Sequence, residues 1–338
     1  MHRTTWLGHL TILTILPLLT SCSSDYDLLD GPGYGQLNPL SLDNPTQLDR
    51  IIQASSPEVD VLWIVDNSCS MYDEQQAIVN NLRAFIDFFL DSGLDYHLGV
   101  VSTDMDAVTH QGRLREVAGH RWIEPNTPSP VGTFGQMVQL GTLGSTTERG
   151  REASFSALET HANGYNQGWY RRRATLHQIV VSDEDDSSSE LAVPLQEFGT
   201  YLLGLKPEQD MVTWSSIVTP PNCSPSCGDG SPGLDYLTLS REVGGISWDI
   251  RTQDWSGLLQ ELGMVASGTS REFFLSRLPD EDTIEVWSVD PDGDEDTWRE
   301  GAEWLYDRKR NSVSFVDRIP GPLEEVFIEY TPLASWVQ

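Results

Sequence analysis

The chain is nearly without lysine. Of its 338 residues only Lys206 and Lys309 are lysine, and 21 basic residues face 51 acidic ones. The formal net charge is −30. A surface this acidic repels phosphate backbones and anionic lipid, which excludes nucleic acid as a partner. The shortage also removes enzyme classes: the Gly-rich stretch "LGTLGST" has no following lysine to reach a phosphate. There is no His-Glu-x-x-His pair and no nucleophile elbow. His97, His110, His120, His161 and His177 are scattered along the chain and read as structural or surface residues. Cysteine is scarce, with four in all. Long apolar runs are lacking too, apart from "WLGHLTILTILPLLT" near the start, which is short for a membrane span.

That run follows a short basic "MHRTT" and leads into "LTSC", Leu19 to Cys22. This arrangement resembles the bacterial lipobox. It implies a signal peptide over residues 1–21, cleavage before Cys22, and lipidation of Cys22. Such a protein is anchored to a membrane and does not span it. Ser23 and Ser24 resemble the outer-membrane sorting pattern of Gram-negative lipoproteins, so the expectation is an outer-membrane lipoprotein of the cell envelope. Residues 22–57 are rich in Gly, Pro, Asn and Asp and read as a linker that becomes ordered near "RIIQ". Export would bring the remaining thiols into an oxidising compartment. Cys223 and Cys227, in "PPNCSPSCGDG", are placed to close a small disulfide. A zinc half-site is the rival reading, with no second half in view. Cys69 is then expected to be a buried free thiol, with a bridge from it to the loop left open.

From residue 58 strands and helices alternate. "VDVLWIV", "YHLGVVST", "LHQIVVSD", "MVTWSSIV" and "GISWDI" read as strands. Helices are expected from "DEQQAIVNNLRAFIDFFL", "TERGREASFSALETHANG", "SSELAVPLQEFGTYLLG", "LDYLTLSREVG" and "WSGLLQELGMVASG". "DMDAVTHQGRLREVAGHRWIEPNTPSP" carries turn chemistry and at most a short hairpin. The alternation predicts an α/β fold over 58–268, a doubly wound, mostly parallel sheet flanked by helices. Beyond it, residues 269–338 show only short strand-like runs and read as a small all-β module. Trp287, Trp304 and Tyr330 are expected in its core. "VDPDGDEDTW" has calcium-loop composition, but Gly293 is misplaced for an EF-hand, and an acidic hairpin tip is the preferred reading.

Open parallel sheets bind ligands beyond the carboxyl ends of their strands. Here three strands end in oxygen donors: Asp66-Asn67-Ser68-Cys69-Ser70, then Asp104 and Asp106, then Asp183 to Asp186. Hydroxyls and carboxylates are hard ligands, suited to Mg²⁺, Mn²⁺ or Ca²⁺. "DVLWIVDNSCSM", "GTLGST" and "IVVSDEDD" together resemble the von Willebrand factor A domain. In that family a metal-ion-dependent adhesion site combines Asp-x-Ser-x-Ser, a threonine from a second loop and an aspartate from a third. The resemblance implies metal ligation by Asp66, Ser68, Ser70 and Asp183, and by Thr142, preferred over Ser145, Thr146 and Thr147. The departures are Cys69, where glycine is common, and Glu184, where many relatives have glycine after the aspartate.

The resemblance implies binding and not catalysis: a divalent cation, Mg²⁺ foremost, with a protein partner's carboxylate completing its sphere. The alternatives are an envelope scaffold whose cation site is only structural and, more remotely, a Mg²⁺-dependent phosphohydrolase. The last is disfavoured because Ser68 stands where haloacid dehalogenase-like phosphatases place their second aspartate.

Overall fold

The computed structural model describes residues 46–53, 58–90, 92–189, 191, 193–223, 230–316 and 318–333. The expected signal peptide and Cys22 therefore lie outside the described residues, as does Cys227. In chain order the strands are β1 Gln47–Ile52, β2 Glu58–Val65, β3 Asp95–Ser102, β4 Trp122–Ile123, β5 Thr175–Ser182, β6 Val212–Val218 and β7 Ser247–Asp249. The helices are α1 Tyr72–Asn81, α2 Arg83–Ile86, α3 Pro130–Val138, α4 Gly150–Phe155, α5 Leu195–Leu203, α6 Leu234–Val243 and α7 Trp255–Ser267. The C-terminal strands are β8 Glu272–Phe274, β9 Glu285–Val289, β10 Glu295–Trp298, β11 Trp304–Asp307, β12 Ser312–Phe315 and β13 Glu325–Tyr330.

A six-stranded sheet runs β4-β3-β2-β5-β6-β7, parallel except for the edge strand β4. Counting the parallel strands alone, the order is 2-1-3-4-5, a doubly wound arrangement with its switch point between β2 and β5. Strand alternation sorts the core. Val59, Val61, Trp63 and Val65 face α1, α2, α3 and α7, whereas Leu62 and Ile64 face α4, α5 and α6. Trp63 is fully buried, with the rings of Phe85 and Phe134 edge-on at 5.1 and 6.2 Å. Removing such a side chain costs about 3–5 kcal/mol.

The fold corrects several local expectations. The single helix expected after Met71 is divided at Leu82 into α1 and α2. Within the stretch expected to hold only turns and a hairpin, β4 does pair with β3, but "PVGTFGQMV" forms α3. Proline at its first position and buried Phe134, Met137 and Val138 drive that helix, and its contribution to the core is what a local reading of turn residues misses.

The β module holds two antiparallel sheets, β1-β13-β9-β10 and β11-β12-β8. Segment 47–52, at the end of the expected linker, is thus a strand paired along β13 from Gln47↔Tyr330 to Ile52↔Glu325. The two sheets share a core that includes Trp298, Trp304, Val326, Ile328 and Tyr330. Trp287 departs from expectation. It lies half-buried on the outward face and stacks on Phe327 at 5.3 Å. The acidic "DPDGD" is the β9–β10 hairpin tip, where Asp290 Oδ1 accepts the N–H groups of Asp292 and Asp294. Among the described residues no helix is long and apolar enough to cross a membrane.

Candidate metal centre

The first loop is shaped by its own aspartate. Leaving β2, Asp66 accepts the Ser68 N–H through Oδ1 at 2.7 Å, closing a tight Asx turn. A single 3₁₀ turn, Cys69–Met71, follows, and Met71 is fully buried beneath it. This turn brings the two serines together, Ser68 Oγ to Ser70 Oγ at 3.0 Å. Ser70 Oγ then donates to Asp183 Oδ1 at 3.2 Å, and Asp183 directly follows β5. Asp66, Ser68, Ser70 and Asp183 therefore meet across the β2–β5 switch point.

Several supporting residues carry no signal in the sequence. Ser182 Oγ donates to Asp66 Oδ2 at 2.7 Å. Gln75 is buried in the first turn of α1, where its Nε2 donates to the carbonyls of Asp66 (3.0 Å) and Gly141 (2.9 Å). Its Oε1 accepts the Gly141 N–H, so one amide holds the first and second loops together. The Gly144 N–H donates to the Asn67 carbonyl at 2.9 Å. A Cβ on Gly144 would lie 2.3 Å from Asn67 Cγ, so only glycine fits this approach.

The second loop differs from what the resemblance implies. Thr142 is half-buried and, among the described residues, makes no hydrogen bond to the cluster. Ser145 turns instead to Asp106, 2.7 Å away. The side chain that reaches the first loop is Glu148, two residues before α4 and fully buried. Its carboxyl contacts that of Asp66. One oxygen, Oε2, accepts from Thr103 Oγ1, while Oε1 is buried with no hydrogen-bond donor. A threonine-rich loop directs attention to its hydroxyls, and nothing local to the sequence distinguishes Glu148 from a surface acid.

The other predicted acids at this edge are structural. Asp104 Oδ1 accepts the N–H groups of Asp106 and Ala107. Asp106 pairs with Arg149. Asp186 is buried against Arg151, and Asp185 accepts the Asp235 N–H at 2.9 Å. Cys69 is exposed and free, contrary to the expectation of a buried thiol, because the 3₁₀ turn directs Met71 inward in its place. Cys223 is disulfide-bonded. His97 and His177 are buried structural groups, bonded to the Trp169 carbonyl and to Thr213 Oγ1.

Electrostatics follow from burial of like charges. Glu148 is pushed up to about 9, by burial first and by the charge of Asp66 next, against the Thr103 hydrogen bond. Asp66 is raised by burial, partly offset by hydrogen bonds from Ser182 and Ser68. Glu74 and Glu184 are raised by burial, and the charges of Asp183 and Asp66 add to it. Among the described residues no three His, Cys, Asp or Glu side chains converge in the manner of a zinc or carboxylate cage. The donors that do converge are hydroxyls and carboxylates, a hard set that fits a small divalent cation better than zinc. The donorless Glu148 oxygen fits the same ion.

No family model matches the sequence, and no curated protein matches it. Solved structures do. Proximal thread matrix protein 1 from the mussel byssus aligns with TM-score 0.43 at 13% identity, over 68% of this chain and 51% of that one. A form of it with a zinc-occupied MIDAS motif aligns with TM-score 0.40 at 13% identity, over 66% and 50%. The pilus adhesin SpaC from Lactobacillus rhamnosus GG aligns with TM-score 0.44 at 10% identity, over 84% and 40%. The chain spans about half or less of each neighbour's length. With every score below 0.5, these likenesses add nothing to what strand order and loop geometry already establish.

Proposed function

We propose that the chain is a cation-dependent binding protein of the von Willebrand A type, held at the outer membrane of the cell envelope by a lipid on Cys22. The observation that carries this reading is the chain of hydrogen bonds from Ser68 to Ser70 to Asp183, which joins two loops at the switch point beside Asp66. Asp66, Ser68, Ser70 and Asp183 would hold a divalent cation, Mg²⁺ foremost. The cation supplies a Lewis-acidic point of attachment for a carboxylate on a protein partner, and it offsets the repulsion between two acidic surfaces. The surroundings suit a contact surface. Tyr72, Val108 and Leu143 are large apolar residues, 63%, 69% and 101% exposed, on the segments that follow β2, β3 and α3. Residues like these are usual in the buried centre of an interface.

The test is calorimetric titration of Mg²⁺, Mn²⁺ and Ca²⁺ into signal-free protein, beside Ser68→Ala and Asp183→Ala variants. Saturable binding lost in both variants supports the site. Absence of binding, or binding untouched by the variants, overturns it. A partner captured with Mg²⁺ and released by EDTA supports adhesion through the cation. A partner indifferent to EDTA makes the protein an envelope scaffold with an incidental ion.

A further inference from the structure

The second loop carries a buried acid that the four residues named as cation ligands do not account for. Glu148 is fully buried, and its Oε1 meets no hydrogen-bond donor. Its other oxygen is occupied by Thr103. The group it contacts is another buried acid, Asp66, which already accepts from Ser68 N–H and Ser182 Oγ. A carboxylate oxygen buried with no donor costs free energy unless something positive reaches it. Arg149 and Arg151 pair with Asp106 and Asp186, and among the described residues no hydrogen bond or ion pair joins either guanidinium to Glu148. An ion between Asp66 and Glu148 would meet the need of both.

We propose that Glu148 is itself a ligand of the cation, supplying through its donorless oxygen the second-loop contact alongside Asp66, Ser68 and Ser70, with Asp183 held one hydrogen bond further out through Ser70 Oγ. This rests on the cation reading above and replaces the hydroxyl that the resemblance implies at Thr142. A ligand set with Glu148 brings a charged oxygen where a hydroxyl would bring a neutral one. It therefore binds a divalent ion more tightly, and the loaded centre keeps more negative charge. It also ties the second loop to the ion, so that cation binding should rigidify residues 141–148.

The experiment compares wild type, Glu148→Gln, Glu148→Asp and Thr142→Ala in the signal-free full chain. Mg²⁺ and Mn²⁺ affinities are read by calorimetry, and thermal unfolding is followed in EDTA and in saturating Mg²⁺. Glutamine keeps the shape and an oxygen for Thr103 but removes the charge. Glu148→Gln is expected to lose at least tenfold in Mg²⁺ affinity and most of the Mg²⁺-induced rise in melting temperature. In EDTA it should melt no lower than wild type, because one of two apposed buried acids is gone. Thr142→Ala should bind as wild type does. Were Glu148→Gln to fail to fold, Glu148→Asp tests reach in place of charge: it keeps the carboxylate but draws it back by one methylene, and it should also lose Mg²⁺ affinity. If Glu148 variants bind Mg²⁺ as tightly as wild type while Ser68→Ala does not, the cation reading stands and the role of Glu148 falls. In that case the two acids share a proton and not an ion. If wild type binds no cation, both fall together.

Discussion

Gly144→Ala is the sharpest test of how the loops are assembled. The added Cβ would stand 2.3 Å from both Cγ and Oδ1 of Asn67 and 2.4 Å from Nδ2. Ordinary contact begins near 3.4 Å, so the loops must part by about 1 Å or the Asn67 side chain must leave its rotamer. Overpacking of this kind costs about 1–3 kcal/mol. Either escape also breaks a bond. Parting the loops stretches the 2.9 Å bond from Gly144 N–H to the Asn67 carbonyl, and turning Asn67 forfeits the 3.1 Å bond from Ser102 Oγ. One such loss adds about 0.5–1.5 kcal/mol. The total is about 2–4 kcal/mol, a fall in melting temperature of roughly 4–15 °C for a domain of this size. Because Asn67 lies between Asp66 and Ser68, Mg²⁺ affinity should fall at least tenfold as well. The control is Gly132→Ala in α3, where a Cβ meets nothing within 4 Å and helix propensity gains. Calorimetry and thermal melting measure both quantities. A Gly144→Ala protein that melts and binds like wild type would refute the claim that this close approach positions the first loop.

Three further outcomes are expected. Gln75→Ala removes the amide that joins the Asp66 and Gly141 backbones, so it should cost about 2–3 kcal/mol in denaturant melts; an unchanged midpoint would mean that the loops hold without it. His177 is buried and its imidazole is depressed to about 4, by burial first and by Lys206 next. The unfolded chain then binds the extra proton between about pH 6.5 and 4. Stability present above pH 6.5 should fall by about 3 kcal/mol as pH drops through that window, and His177→Gln should flatten this part of the profile. Finally, in protein carrying Cys22→Ser, a maleimide should label Cys69 in the native state within minutes. Labelling that waits for denaturation would contradict the exposed position of the thiol.

The legibility of the site varied with how local its causes are. The strand ends were readable because a buried strand is a short apolar run, and an aspartate that closes it is a neighbour in the chain. Asp66, Ser68, Ser70 and Asp183 could thus be placed on one edge of a parallel sheet from strand alternation alone, and the structure brings them into contact. Helix α3 was obscured by surrounding turn residues, because its case rests on packing against a sheet that the local sequence does not contain. Strand β1 was hidden for the same reason, since its partner β13 lies at the far end of the chain.

Sequence by itself determined the α/β alternation, the acidic surface and the oxygen donors of the first and third loops. Each of these is a property of adjacent residues or of composition. Only the tertiary structure decided which side chain of the second loop turns inward. The Asn67–Gly144 contact, the Gln75 clamp and the Thr103 hydroxyl act together, across gaps of dozens of residues, to hold Glu148 against Asp66, while Thr142 stays half-buried and outside the hydrogen-bonded cluster. Burial then gives Glu148 its significance, because an acid that would be unremarkable in water needs a cation or a proton once its oxygen has no donor.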